Sequence, residues 1–197
     1  MRPYFAYFLS IAGIGLLFIW SGHDFDPNRE LRLIQGSGQL GLGFLFATLS
    51  ISPISALSRK LFSAKQAAAL RRSLGLCTTG FASFHLFLVF QLNFVTEFSA
   101  LLTEPQWRNG FAAFIVLLLL SLSSFPFVVR RFRIGNWKSL HQLAYAALFF
   151  ALLHVLVSPS TSWNDLILVL ITLLVLILLR LLSYLYRPAE KANIVQD

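Results

Sequence analysis

Three of the four histidines in this sequence stand in apolar runs: His85 in FASFHLFLVF, His141 in SLHQLAY and His154 in FFALLHVLV. An imidazole in hydrocarbon is costly unless paired, so each of the three is a functional candidate. The bland alternative is a ring bonded to a neighbouring carbonyl, or one that snorkels to the interface. Depth separates them. At ~1.5 Å per helical residue, His85 lies ~20 Å from Arg72 and His154 lies ~24 Å from Lys138. His141 lies only ~5 Å from Lys138 by the same rise. Two imidazoles at matching depth, with no acidic neighbour, make a poor cage for a divalent metal. They suit the two axial positions that a porphyrin leaves on iron. His85 and His154 are therefore the expected axial ligands of a haem iron.

His141 is thirteen residues before His154, ~20 Å along one helix. It addresses a second redox site at the other face of the membrane. A second bis-histidine haem would need another histidine one to two turns inside Arg71, and none stands there. One haem is thus fully ligated by histidine, and His141 supports an inner redox site or a second haem. His23, beside Asp24 and Asp26, reads as a solvated loop residue.

The elements that must position these rings follow from composition. The chain has 197 residues, 57% hydrophobic and 12% charged, with a mean hydropathy of +0.73. A soluble domain carries about 25% charged residues, so this chain has too little polar surface to cover a water-facing globule. It is expected to be an all-α integral membrane protein. A crossing helix needs ~20 predominantly apolar residues. Six stretches qualify, at about 4–22, 36–54, 73–95, 110–129, 140–157 and 166–186. They predict a single six-helix transmembrane domain over 1–187 and a short cytoplasmic tail over 188–197. The first stretch reads as a retained helix, because its n-region is only Arg2 and Trp20-Ser21-Gly22 fits a cleavage site poorly.

Charge sets the expected orientation. The loops after the second and fourth spans hold Arg59, Lys60, Lys65, Arg71 and Arg72, then Arg130, Arg131, Arg133 and Lys138. With Arg2, Arg180, Arg187 and Lys191, most of the 16 basic residues gather on one side. Short basic loops stay cytoplasmic, so both termini are expected in the cytoplasm. The net charge of +8 is then a topology signal and a contact for anionic lipid. No basic–aromatic module accompanies it, so nucleic acid is not an expected partner.

Other residues have narrower readings. Arg71, Arg72 and Arg180 are candidates for charge-assisted contacts to haem propionates or a flavin phosphate, with snorkelling to lipid phosphate the competing reading. Gly36, Gly38, Gly41 and Gly43, and Gly75 with Gly80, keep two spans thin, for ordinary packing or for a haem-facing groove. Cys77 is the lone cysteine and closes no intramolecular disulfide. Gly36-Ser37-Gly38-Gln39-Leu40-Gly41 matches GxGxxG by letter, but it opens a membrane span and follows no strand.

Three runs resemble the ferric-reductase-like transmembrane superfamily: ATLSISPIS at 47–55, RRSLGLCTTGFASFHLFLVF at 71–90 and NWKSLHQLAYAALFFALLHVLVS at 136–158. The resemblance is strongest to its haem-binding membrane subunits of bacterial methionine-sulfoxide reductase systems. Its most specific pieces are Arg71-Arg72-x-Leu74-Gly75-Leu76 followed by His85, and Trp137-x3-His141-x3-Tyr145 followed by His154. The resemblance implies b-type haem held by His85, His141 and His154 in a bacterial inner membrane, with FMN as a further cofactor. It also implies electrons from the quinone pool or a cytoplasmic flavin reductase, delivered to a periplasmic molybdopterin methionine-sulfoxide reductase of the MsrP type. The chain departs from the family at Ile34-Gln35-Gly36-Ser37-Gly38-Gln39, where the family carries a His and then a Gly-Arg pair. No quinone, flavin or partner contact is carried over there. The chain then reads as a redox subunit without its own substrate domain. The competing functions are a stand-alone ferric or metal reductase of the same superfamily, and a non-redox transporter or structural membrane protein.

Overall fold

A computed structural model describes residue 13 and residues 28–58, 63–92, 98–125, 128 and 140–194, with side chains as far as 186. Among these residues every regular element is helical. Helix α1 is Arg29–Leu57, α2 is Ala64–Gln91, and α3 is the single turn Ala100–Thr103. Then come α4 at Pro105–Ser123, α5 at Leu143–Val157 and α6 at Trp163–Ile194. Helices α1, α2, α4 and the Trp163–Tyr186 part of α6 are long and apolar enough to cross a membrane, and α5 is a shorter apolar helix. The expected span at 4–22 lies outside the described residues apart from Gly13, as do His23 and the basic loops at 59–62 and 129–139.

Local chemistry moves several helix ends away from the hydropathy boundaries. Helix α2 starts nine residues before the expected span because Ser63 caps it. Ser63 Oγ accepts from Gln66 N at 3.3 Å, and Gln66 Oε1 accepts from Ser63 N at 2.9 Å. This reciprocal box satisfies two otherwise orphaned N–H groups. Helix α4 begins at Pro105, whose missing N–H costs nothing in a first turn. It stops at Ser123, three residues ahead of Pro126. Ser162 and Asp165 cap α6 in the same manner as α2: Ser162 N donates to Asp165 Oδ2 at 2.9 Å, and Asp165 N donates to Ser162 Oγ at 3.3 Å.

The helices pack as neighbours in sequence, α1 with α2 and α4 with α5, while α6 lies along α1 and α2 touches α4. The central core joins Leu45, Phe46 and Leu49 of α1 to Leu117, Ala147, Leu148 and Leu176. A second cluster, built on Ile34, Leu88, Val89 and Leu101, closes the end where α1 and α4 start. A third, Ile51 with Ala67 and Leu74, closes the opposite end. Thr79 Oγ1 on α2 lies 3.2 Å from both Gly75 O and Leu117 O, a polar tie from α2 to α4. Thr79→Val is expected to lower stability by about 0.6 kcal/mol, the mean for interhelical bonds in membranes. Thermal unfolding in detergent measures this, and an unchanged midpoint would show that the tie carries nothing.

Helix α6 presents Leu168, Leu170, Ile171, Leu174 and Val175 to the outside and buries only Leu176 among its leucines. In water such a stripe would be an aggregation surface. Facing lipid tails it costs nothing, which fits a bundle solvated by a bilayer.

Candidate functional site

Alternation of direction brings the ends of α2 and α5 beside the starts of α1 and α4. His85 is six residues from the end of α2, and His154 is three residues from the end of α5. Their ring centroids are 6.1 Å apart, with ring planes at 76°. Both line a cavity of about 400 Å³ walled by α1, α2, α4, α5 and α6, within the roughly 300–1,000 Å³ typical of small-molecule sites. The cavity lies between the central core and the cluster around Ile34, and its walls are mostly aliphatic and aromatic.

Each imidazole is held from behind by a main-chain oxygen on a neighbouring helix. His85 Nδ1 is 2.9 Å from Ile34 O of α1, and His154 Nδ1 is 2.6 Å from Gln106 O of α4. A carbonyl can only accept, so Nδ1 carries the proton in both rings and Nε2 keeps its lone pair. Ser37 is wholly buried, donates its Oγ proton to Ile34 O at 2.8 Å, and brings Oγ to 3.3 Å from His85 Nδ1. Metal-ligating histidines usually show this arrangement, in which the far nitrogen donates to a carbonyl and thereby orients the ring.

The donor set fits an iron porphyrin. A metal–imidazole bond of ~2 Å, plus ~1 Å from ring nitrogen to ring centre, separates two axial ring centroids by ~6 Å. The observed spacing agrees. Among the described residues no group of three or more His, Cys, Asp and Glu could hold a bare ion. Two ring nitrogens suffice only where a macrocycle supplies the remaining ligands.

At the cavity rim, Gln39 Nε2 donates to Asp165 Oδ1 at 2.6 Å and Gln35 Nε2 donates to Ser160 O at 2.9 Å. These bonds fasten α1 to the start of α6. The remaining expected site residues stand elsewhere. His141 Nε2 is 3.4 Å from Ser124 Oγ, and the ring does not line the cavity. Arg71 donates to Ser52 Oγ at 3.1 Å and to Ala67 O at 3.3 Å, Arg72 is exposed, and Arg180 lies 5.2 Å over the Tyr145 ring. None of the three guanidinium groups lines the cavity. Tyr145 is one turn beyond His141, so His141, Tyr145 and Arg180 gather at the opposite end from the histidine pair. Cys77 is a buried free thiol.

Residues 34–152 match the family described as "Ferric reductase like transmembrane component". The chain belongs to this ferric-reductase-like family. His85 falls inside the matched stretch, and His154 stands two residues beyond its end. The chain is similar to proteins named "Protein-methionine-sulfoxide reductase heme-binding subunit MsrQ". It is 31% identical to that of Azospira oryzae over 70% of this chain and 59% of the relative. It is 34% identical to that of Xanthomonas euvesicatoria over 73% of this chain and 67% of the relative. Identity to the Klebsiella pneumoniae protein is 28%, over 70% and 69% of the two chains. The chain thus spans less than two thirds of the length of the Azospira family member.

Ile34 and Gln106, whose main-chain oxygens hold the two rings, and Gly110 beside the His154 ring are positions at this site that residue types did not mark. A main-chain acceptor has no side-chain signature, and a glycine near a helix start reads as an ordinary span boundary.

Proposed function

We propose that this protein is a transmembrane haem b electron-transfer subunit that feeds a periplasmic molybdopterin methionine-sulfoxide reductase of the MsrP type. The carrying observation is the His85–His154 pair, 6.1 Å apart with both Nδ1 atoms bound to main-chain oxygens. The relatives' name as haem-binding subunits supports the same assignment. Electrons enter from the quinone pool or a cytoplasmic flavin reductase, and the bundle sits in the bacterial inner membrane with both termini inside. The six-span count, the domain over 1–187 and the tail over 188–197 belong to this reading.

Haem, when bound, supplies a one-electron couple tuned by its axial ligands and surroundings. The chain's own residues do the rest. His85 and His154 present two Nε2 lone pairs, and Ile34 O and Gln106 O hold the rings against rotation. Leu45, Phe46, Phe111, Phe114 and Leu117 exclude water and keep the surroundings apolar. Gln35, Gln39 and Asp165, with Ser158, Ser160 and Thr161, supply polar groups to the lining. At the other end, His141 with Arg71, Arg72 and Arg180 is the proposed inner site, for a second haem, its propionates or the phosphate of FMN.

Purified protein tests this reading. It should be red, with one low-spin bis-histidine haem per chain, reoxidised only when the reductase and methionine sulfoxide are both present. Reoxidation by a ferric chelate alone would favour a stand-alone metalloreductase. A colourless protein would favour a non-redox membrane role.

A further inference from the structure

The two histidines are seated by the same local device, built twice on helices that are not sequence neighbours. Ile34, whose carbonyl takes the His85 Nδ1 proton, is followed four residues later by Gly38. Gln106, whose carbonyl takes the His154 Nδ1 proton, is followed four residues later by Gly110. A Cβ on Gly38 would lie 3.2 Å from Cε1 and from Nδ1 of His85. A Cβ on Gly110 would lie 3.0 Å from Nδ1 of His154, and 3.2 Å from its Cε1 and Cγ. A Cβ on Gly75 or Gly80, by contrast, would meet nothing within 4 Å.

Helix geometry explains the spacing. A helical carbonyl gives one lone pair to the N–H four residues later and keeps a second for an outside donor. Each Cα–Cβ bond tilts toward the helix N-terminus, so the side chain at that later residue flanks the second lone pair. Glycine there leaves the approach open.

We propose that Gly38 and Gly110 are positioning residues of the haem site. Each opens a notch through which an imidazole reaches the carbonyl one turn earlier, and the pair fixes both rings as Nδ1–H tautomers with Nε2 turned to iron. This rests on the haem reading above. An Nδ1–H bond to a carbonyl raises the basicity of the ligating nitrogen, which favours ferric iron and lowers the reduction potential.

The test uses the full chain with its haem, carrying Gly38→Ala or Gly110→Ala, with Gly75→Ala and Gly80→Ala as controls. Haem content, the low-spin ferric electron paramagnetic resonance signal and the midpoint potential are read. Each notch variant should lose half or more of the low-spin signal. Any haem retained should be easier to reduce by about tenfold in equilibrium constant, ~59 mV for one electron. Both controls should match the unsubstituted protein. Alanine is the better helix former, so a merely structural glycine predicts unchanged spectra, and that result in both notch variants would overturn the proposal. If a variant fails to accumulate, electron–nuclear double resonance on the unsubstituted protein in deuterium oxide decides. Slowly exchanging ring N–H protons on both ligands support the notches, and fast exchange overturns them. Absence of haem from the unsubstituted protein would sink the haem reading and this one together, whereas silent notch variants of a red protein sink only this one.

Discussion

His85→Ala and His154→Ala are each expected to abolish low-spin haem completely, while His141→Ala leaves a substantial fraction. The difference follows from position. His85 and His154 share one cavity with their rings 6.1 Å apart, so removal of either leaves iron with a single protein ligand. Among the described residues no third histidine and no cysteine lines the cavity, and its one carboxylate, Asp165, is already bonded to Gln39 and Ser162. His141 lies beside Ser124, outside that cavity. Each alanine also removes the ring that fills the notch at Gly38 or Gly110 and leaves a void where packing density is normally high. Haem per chain, measured with the visible spectrum of the reduced protein, reads the outcome. Equal and complete loss in all three variants would refute the separate roles given to the two ends. A second haem in the unsubstituted protein would mean that a group other than histidine completes its coordination.

How far sequence could reach is explained by what a helix makes regular. Rise per residue is fixed, so counting from Arg72 and from Lys138 sufficed to place His85 and His154 at one depth, and their rings do meet. Helix ends were less legible. Lys65 and Gln66 lower local hydropathy, yet the Ser63 cap carries α2 beyond the apolar stretch. Glu30 and Arg32 likewise hide the start of α1 at Arg29. The acceptors behind the rings were invisible because they are main chain. Gly38 lay in a run whose glycines had two readings, and its role emerges only from the ring above it. Gly41 packs on Phe81 and the Ala82 backbone, the ordinary close approach of two helices. One short run therefore contains both kinds of glycine, and spacing alone could not sort them.

Exchanging one axial ring for a thioether should change the energetics more than the structure. His85→Met places a flexible, polarizable side chain of similar reach on α2, and Met/His coordination raises the potential relative to paired imidazoles. The sign follows from electron donation: sulfur donates less to ferric iron than an imidazole whose far N–H is hydrogen-bonded, so the ferrous form gains. Axial identity spans ~0.8 V across haem proteins, and a rise on the order of 0.1 V or more is expected here. Each ~59 mV is tenfold in a one-electron equilibrium, so reduction becomes easier by at least about 50-fold and onward transfer loses the same driving force. Ser37 lessens the structural cost, because its Oγ already donates to Ile34 O and that carbonyl keeps a partner after the ring has gone. Three residues past Gln106, where Ser37 stands relative to Ile34, the chain carries Asn109 rather than a hydroxyl residue, so His154→Met should lose more haem for a comparable rise. Redox titration with parallel measurement of reoxidation by the reductase checks both variants. A potential unchanged in haem-loaded His85→Met would show that position 85 does not touch the iron.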